Sequence, residues 1–156
     1  MMEEIVPEKK IGVISCSGEE CLGGTISRLA TRKMLEELRP GQTVTICLPL
    51  FLAGGEEERG FAARFPTITV DGCDKLCAKR ATEKYSGKVS SALVVSDIIG
   101  KETAEAAMLS TSKLTADHQA MVDRVAAVID KEFDAINNKE NKKGGGGCSC
   151  GGGCGC

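Results

Sequence analysis

The chain has 156 residues, 42% of them apolar and 27% charged, with a net charge of −2. That is enough for one compact domain with its own core. It offers no basic field for nucleic acid or anionic lipid, and no apolar run near the ~20 residues of a membrane span. The opening MMEEIVPEKK is polar and acidic without an apolar signal core, so no secretory signal is expected and the cytoplasm is the expected compartment.

Residues 1–8 read as a leader. KIGVISCSG reads as a short buried strand ending near Ser15. From Leu22 the apolar positions Leu22, Ile26, Leu29, Ala30, Met34 and Leu38 recur at helical spacing, and Pro40-Gly41 stops that helix. TVTICLPLF reads as a second strand closed by Pro49, AGGEEERGFAARF as a loop with one helical turn, and TITVDGC as a third strand. Asp74 is the expected N-cap of a helix running to Tyr85 and ended by Gly87. KVSSALVVSDII reads as a fourth strand. An amphipathic helix then follows over about 114–136, with Leu114, His118, Met121, Val125, Val128 or Ile129, and Ile136 on its apolar face. Strands that are apolar along their length and alternate with helices predict a three-layer, Rossmann-like α/β domain over 9–136, with a mainly parallel sheet. NNKENKKGGGG (137–147) has linker composition, and CSCGGGCGC (148–156) is a tail that cannot build a core.

Nine cysteines are many for this length, their number is odd, and no export signal accompanies them. In a reducing compartment that favours metal binding or thiol chemistry over a disulfide framework. Cys16, Cys47 and Cys73 are expected at the carboxyl ends of strands one, two and three. Cys77 lies one helical turn beyond Cys73. The carboxyl ends of a parallel sheet share one edge, so four thiols converge on one rim, which suits a tetrahedral thiolate site for zinc. Lys75, Lys79 and Arg80 are expected to lower the pKa of thiols near them. Cysteine is also a common core residue, and Cys47, between Ile46 and Leu48, reads equally well as packing.

CSG after strand one, ICLP at strand two, VDGCDKLCAKR after strand three and the late pair Ser96-Asp97 together resemble the DGC-domain family of zinc-binding proteins. The resemblance covers about residues 10–100 and takes its name from the tripeptide Asp71-Gly72-Cys73. It implies that Cys16, Cys47, Cys73 and Cys77 are zinc ligands, but it supplies no reaction. Cys21 has no place in that pattern and remains an additional thiol. Gly72 suits a tight turn with unusual backbone angles and close approach. Asp71 reads either as a turn-stabilising residue or, with Asp97, as a partner supporting the thiols.

Rival motifs fail on single residues. GEECLGGT departs from the P-loop pattern because Gly24 stands where lysine belongs. A C-x5-R phosphate loop is broken by Leu22, and Arg28 lies further along the helix. No G-x-S-x-G elbow is present, and His118, the single histidine, reads as a packing residue. Thiol redox or persulfide transfer through the same cysteines is the alternative function, although neither Cys16/Cys21 nor Cys73/Cys77 has C-x-x-C spacing.

In the tail, Cys148, Cys150, Cys154 and Cys156 suit a soft ion, Zn²⁺ or Cu(I), or an iron–sulfur cluster. A linker of ~10 residues spans roughly 15–20 Å, so the tail is expected to reach the rim. The expected partners are metal ions and a metal or sulfur donor or acceptor protein, with neither nucleic acid nor membrane involved.

Overall fold

A computed structural model describes residues 9–107 and 111–144. The leader and all four tail cysteines, Cys148, Cys150, Cys154 and Cys156, lie outside the described residues. The chain forms four strands: β1 (Ile11–Ser15), β2 (Thr43–Val44), β3 (Thr67–Asp71) and β4 (Ser91–Val94). They make one sheet in the order β2-β1-β3-β4, with every pairing parallel. Among the described residues the α-helices are α1 (Leu22–Lys33), α2 (Leu48–Ala53), α3 (Glu56–Arg59), α4 (Phe61–Arg64), α5 (Cys77–Tyr85), α6 (Val95–Ile99), α7 (Lys101–Glu105) and α8 (Ala116–Gly144); a π-helical segment, Met34–Leu38, continues α1, and Thr111–Lys113 form a 3-10 turn. None of them is long and apolar enough to cross a membrane.

Alternation along β1 sorts the core into two layers. Ile11 and Val13, with Ile68 and Val70 of β3, pack against Ile26 and Ala30 of α1 and Val125, Ile129 and Phe133 of α8. Ile14 faces the other way, onto Phe51 of α2, Phe61 of α4 and Ala78 and Ala81 of α5. The expected three-layer α/β architecture is therefore present. The chain leaves β1 for β2 on one side and returns to β3 on the other, so the strand order reverses between β1 and β3. Ligand sites of open parallel sheets form at the carboxyl ends of the strands at such a point.

Several elements differ from the sequence expectation. β2 has two residues rather than nine. Pro49 does not close it but sits in the first turn of α2, where the missing N–H costs no helical hydrogen bond. β4 ends at Val94, and Ser96-Asp97 belong to the first turn of α6. Asp74 does not cap α5. It is paired instead with Lys101 at 3.1 Å, and α5 begins at Cys77 after Leu76, whose φ of +54° is left-handed. His118 is half-buried and works locally at the start of α8: its Nδ1 accepts from the Thr115 N–H at 3.1 Å, and its own N–H donates to Thr115 Oγ1 at 3.3 Å. This reciprocal pairing satisfies two N–H groups at the helix start.

The segment 137–144, expected as a linker, continues α8. That helix is tied down along its length. Asp123 pairs with Lys33 at 2.7 Å, while Asp130 and Asp134 pair with Arg39 at 2.6 and 2.9 Å. Ser91 donates to Glu132 at 2.8 Å, and Lys9 pairs with Glu140 at 3.0 Å. Arg39 also stacks over the Phe133 ring, 5.0 Å from its centroid.

Candidate thiolate site

Cys16 follows β1 directly, and its N–H donates to the Val70 carbonyl of β3 at 3.0 Å. Its sulfur accepts the Gly72 N–H at 3.2 Å and lies 3.6 Å from Ser27 Oγ. Ser27 gives its own hydroxyl proton to the Gly24 carbonyl at 2.7 Å, so the neutral Cys16 thiol is the donor to Ser27. Two chain segments thus fix one sulfur.

The loop that presents Cys73 and Cys77 is pressed backbone to backbone onto the first turn of α1. A Cβ on Gly72 would lie 2.5 Å from Gly24 N and 2.6 Å from the Gly23 carbonyl carbon, and one on Gly23 would lie 2.5 Å from Gly72 O. Gly72 is not among the glycines with positive φ. Close approach alone, not unusual backbone angles, demands a glycine here.

Asp71 ends β3 and is 1% exposed. One carboxylate oxygen accepts from Ala78 N at 2.7 Å and the other from Lys79 N at 3.1 Å, so the strand-end residue caps α5 across the turn. Burial pushes its pKa above the ordinary carboxylate value, against the pull of those two amide bonds. Asp97, on α6, is exposed and does not line the cleft described below.

Only two non-glycine residues among those described have positive φ: Ser17 at +51° and Leu76 at +54°. Ser17 immediately follows Cys16 and Leu76 immediately precedes Cys77. Left-handed backbone costs an ordinary residue on the order of 1–2 kcal/mol, and such strain concentrates at functional sites.

Beside these residues β2 stops at Val44, and residues 45–47 diverge from β1. The divergence opens a cleft of about 520 Å³. Cys16, Cys47 and Cys77 line it, together with Arg28 and Thr31 of α1 and Leu35 just beyond that helix. Cys47 is exposed and is the residue before α2, so the structure answers the packing alternative against a core role. Cys73 is half-buried and does not line the cleft, but it is near enough to act electrostatically on Cys77.

The Cys77 thiol is pushed above its ordinary value, first by burial and then by Cys16, Asp71 and Cys73, with Arg80 opposing. The expected lowering by nearby cations is therefore outweighed. Cys21 stands apart. Its segment forms an isolated bridge with Ala107 and starts α1, and its carbonyl accepts from Gly24 N at 3.1 Å.

The structure thus brings three expected thiols to one cleft and leaves the fourth, Cys73, out of its lining. Among the described residues no three His, Cys, Asp or Glu side chains are drawn close enough to hold a metal ion. The donor chemistry nonetheless suits zinc: soft sulfurs from separate segments, one of them already accepting a backbone N–H. Sequence reasoning missed Arg28 as a residue of the cleft. The signal was present in the spacing of Arg28, Thr31 and Arg32, three and four residues apart on α1.

A parallel α/β sheet with cysteines at the carboxyl ends of its strands defines the class of protein. Within it, the DGC domain model matches residues 12–131, and the chain belongs to that family. No curated protein and no solved structure matches the chain.

Proposed function

We propose that the rim is a zinc-binding thiolate site and that the protein serves in metal handling. Cys16, Cys47 and Cys77 are the ligands facing the cleft, and Cys73 is the fourth. The observation that supports this reading is the convergence of thiols from three separate chain segments on one cleft. Burial first, then Cys16, Asp71 and Cys73, raise the cost of ionising Cys77, and a divalent cation is what relieves that cost. Zinc there would hold the loop after β1, the loop after β2 and the turn after β3 in one arrangement. Cys148, Cys150, Cys154 and Cys156 form a second soft-metal site, for zinc, copper(I) or an iron–sulfur cluster, that exchanges with a donor or acceptor protein.

The test is metal and labile-sulfide analysis of protein purified without oxygen, for the full chain and for a full-length variant with the four tail cysteines replaced by serine. The rim reading expects about one zinc per chain in the tail variant, lost on adding Cys16→Ser and Cys77→Ser. A metal-free tail variant whose rim thiols react fast at neutral pH would overturn it in favour of disulfide exchange or persulfide transfer. The raised Cys77 thiol counts against that outcome.

A further inference from the structure

Five of the seven arginines are engaged. Arg32 pairs with Glu36 and Arg39 with Asp130 and Asp134. Arg59 donates to the carbonyls of Phe51 and Leu52, Arg64 to that of Glu57, and Arg124 to that of Ile98. Arg28 and Arg80 have no hydrogen-bond or ion-pair partner among the described residues. Both flank the same thiol. Arg28 lines the 520 Å³ cleft that Cys77 borders, and Arg80 lines a shallower groove of about 540 Å³ on the other side of Cys77. The two depressions share Cys77 and Leu52.

A guanidinium presents a planar fork of donors matched to carboxylate and phosphate oxygens, and elsewhere in this molecule that fork is occupied. One wall of the cleft is apolar, made by Leu35, Ile46, Leu48 and Pro49; its other charged lining residues are Glu19 and Arg32, the latter already paired with Glu36. We propose that the cleft binds a small organic anion, its carboxylate or phosphate held by Arg28, with Arg80 adding positive charge from the adjoining groove, its apolar body on that wall and its reactive or donor end toward Cys77. This rests on the cleft described above but not on the presence of a metal.

Two alkylating probes of nearly equal size test it: iodoacetate, which is anionic, and iodoacetamide, which is neutral. In each the Cys77 sulfur takes the methylene carbon, iodide leaves and the thiol proton goes to water. Mass spectrometry of the full chain gives the rate at Cys77 for both reagents. Parent and variant are compared at the same measured metal content, so the change in ratio is independent of the metal reading. The Arg28→Gln, Arg80→Gln double variant is expected to lower the iodoacetate-to-iodoacetamide ratio about fivefold or more, while Arg124→Gln leaves it unchanged. Both replaced side chains are exposed, so the fold is kept. In the unaltered chain, inorganic phosphate at constant ionic strength is expected to slow iodoacetate but not iodoacetamide if phosphate is the favoured group, and butyrate to do so if carboxylate is. An unchanged ratio in the double variant, or no protection by either anion, overturns the proposal.

Discussion

Replacing Gly72 by alanine tests whether the site is built on backbone contact. The new Cβ would lie 2.5 Å from Gly24 N, 2.6 Å from Gly23 C and 3.0 Å from Gly23 O. Ordinary contacts begin about 3.4 Å apart, so the turn and the first turn of α1 must separate by roughly 1 Å. The obstructing atoms are backbone, not the end of a flexible side chain. α1 cannot retreat, because Ile26 and Ala30 are fully buried against the sheet. Overpacking costs about 1–3 kcal/mol, and this geometry belongs at the upper end, ~3 kcal/mol. For a chain of this length that corresponds to a fall in Tm of about 6–12 °C. Separation would also lengthen the 3.2 Å bond from Gly72 N to Cys16 Sγ, so zinc affinity should fall with stability. Denaturant unfolding and metal titration on the same samples check both. Gly41→Ala is the control: its φ of +76° makes alanine strained, but nothing lies within 4 Å of the added carbon. It should cost only about 1 kcal/mol and leave metal binding alone. A Gly72→Ala protein within about 0.5 kcal/mol of the parent, with unaltered zinc affinity, would refute the close-packing argument.

Asp71→Asn leaves one acceptor oxygen for two amides and should destabilise by about 1–3 kcal/mol, with fraying of α5 visible as faster exchange of the Ala78 and Lys79 amides; equal exchange rates would contradict it. Phe133→Ala empties a fully buried position between α8 and the sheet and should cost about 3–5 kcal/mol without changing zinc stoichiometry under folded conditions, as chemical denaturation and metal analysis will show. Lys33 holds Asp123 below the ordinary carboxylate value, so this pair supports the fold above the unfolded carboxylate pKa and loses that support as pH falls through the lower folded value. Asp123→Asn should therefore flatten the acid limb of the stability curve slightly and leave its shape between pH 6 and 9 unchanged, since Lys33, which Asp123 holds above its ordinary value, titrates higher still; thermal melts across pH 2–9 can measure the difference.

The strand and helix order was legible because apolar runs and helical spacing report burial directly: Ile11–Ser15, Leu22–Lys33 and Thr67–Asp71 fall where the pattern puts them. The second strand was misjudged because ICLPLF is apolar whether it pairs in a sheet or packs as α2, and Phe51 is fully buried in the helix. Val122 and Phe133 were left off the apolar stripe of α8, although both are buried in it. Composition failed at 137–144, since polar residues rich in lysine and glutamate suit an exposed helix as well as a linker. The convergence of Cys16 and Cys77 followed from topology, but what lies around them did not. Asp71 capping a helix that begins six residues later, and Arg28 lining the cleft, depend on how elements meet.

The direction of α8 separates two ends of the molecule. The helix crosses the sheet away from the thiols: Glu132 meets Ser91 at the amino end of β4, and Glu140 meets Lys9 just before β1. The five residues of β1 place Cys16 roughly 17 Å from that edge, and the last turn of α8 beyond Glu140 adds about 6 Å. A label on that last turn therefore reports on the amino edge of the sheet and stays silent about chemistry at the thiol rim.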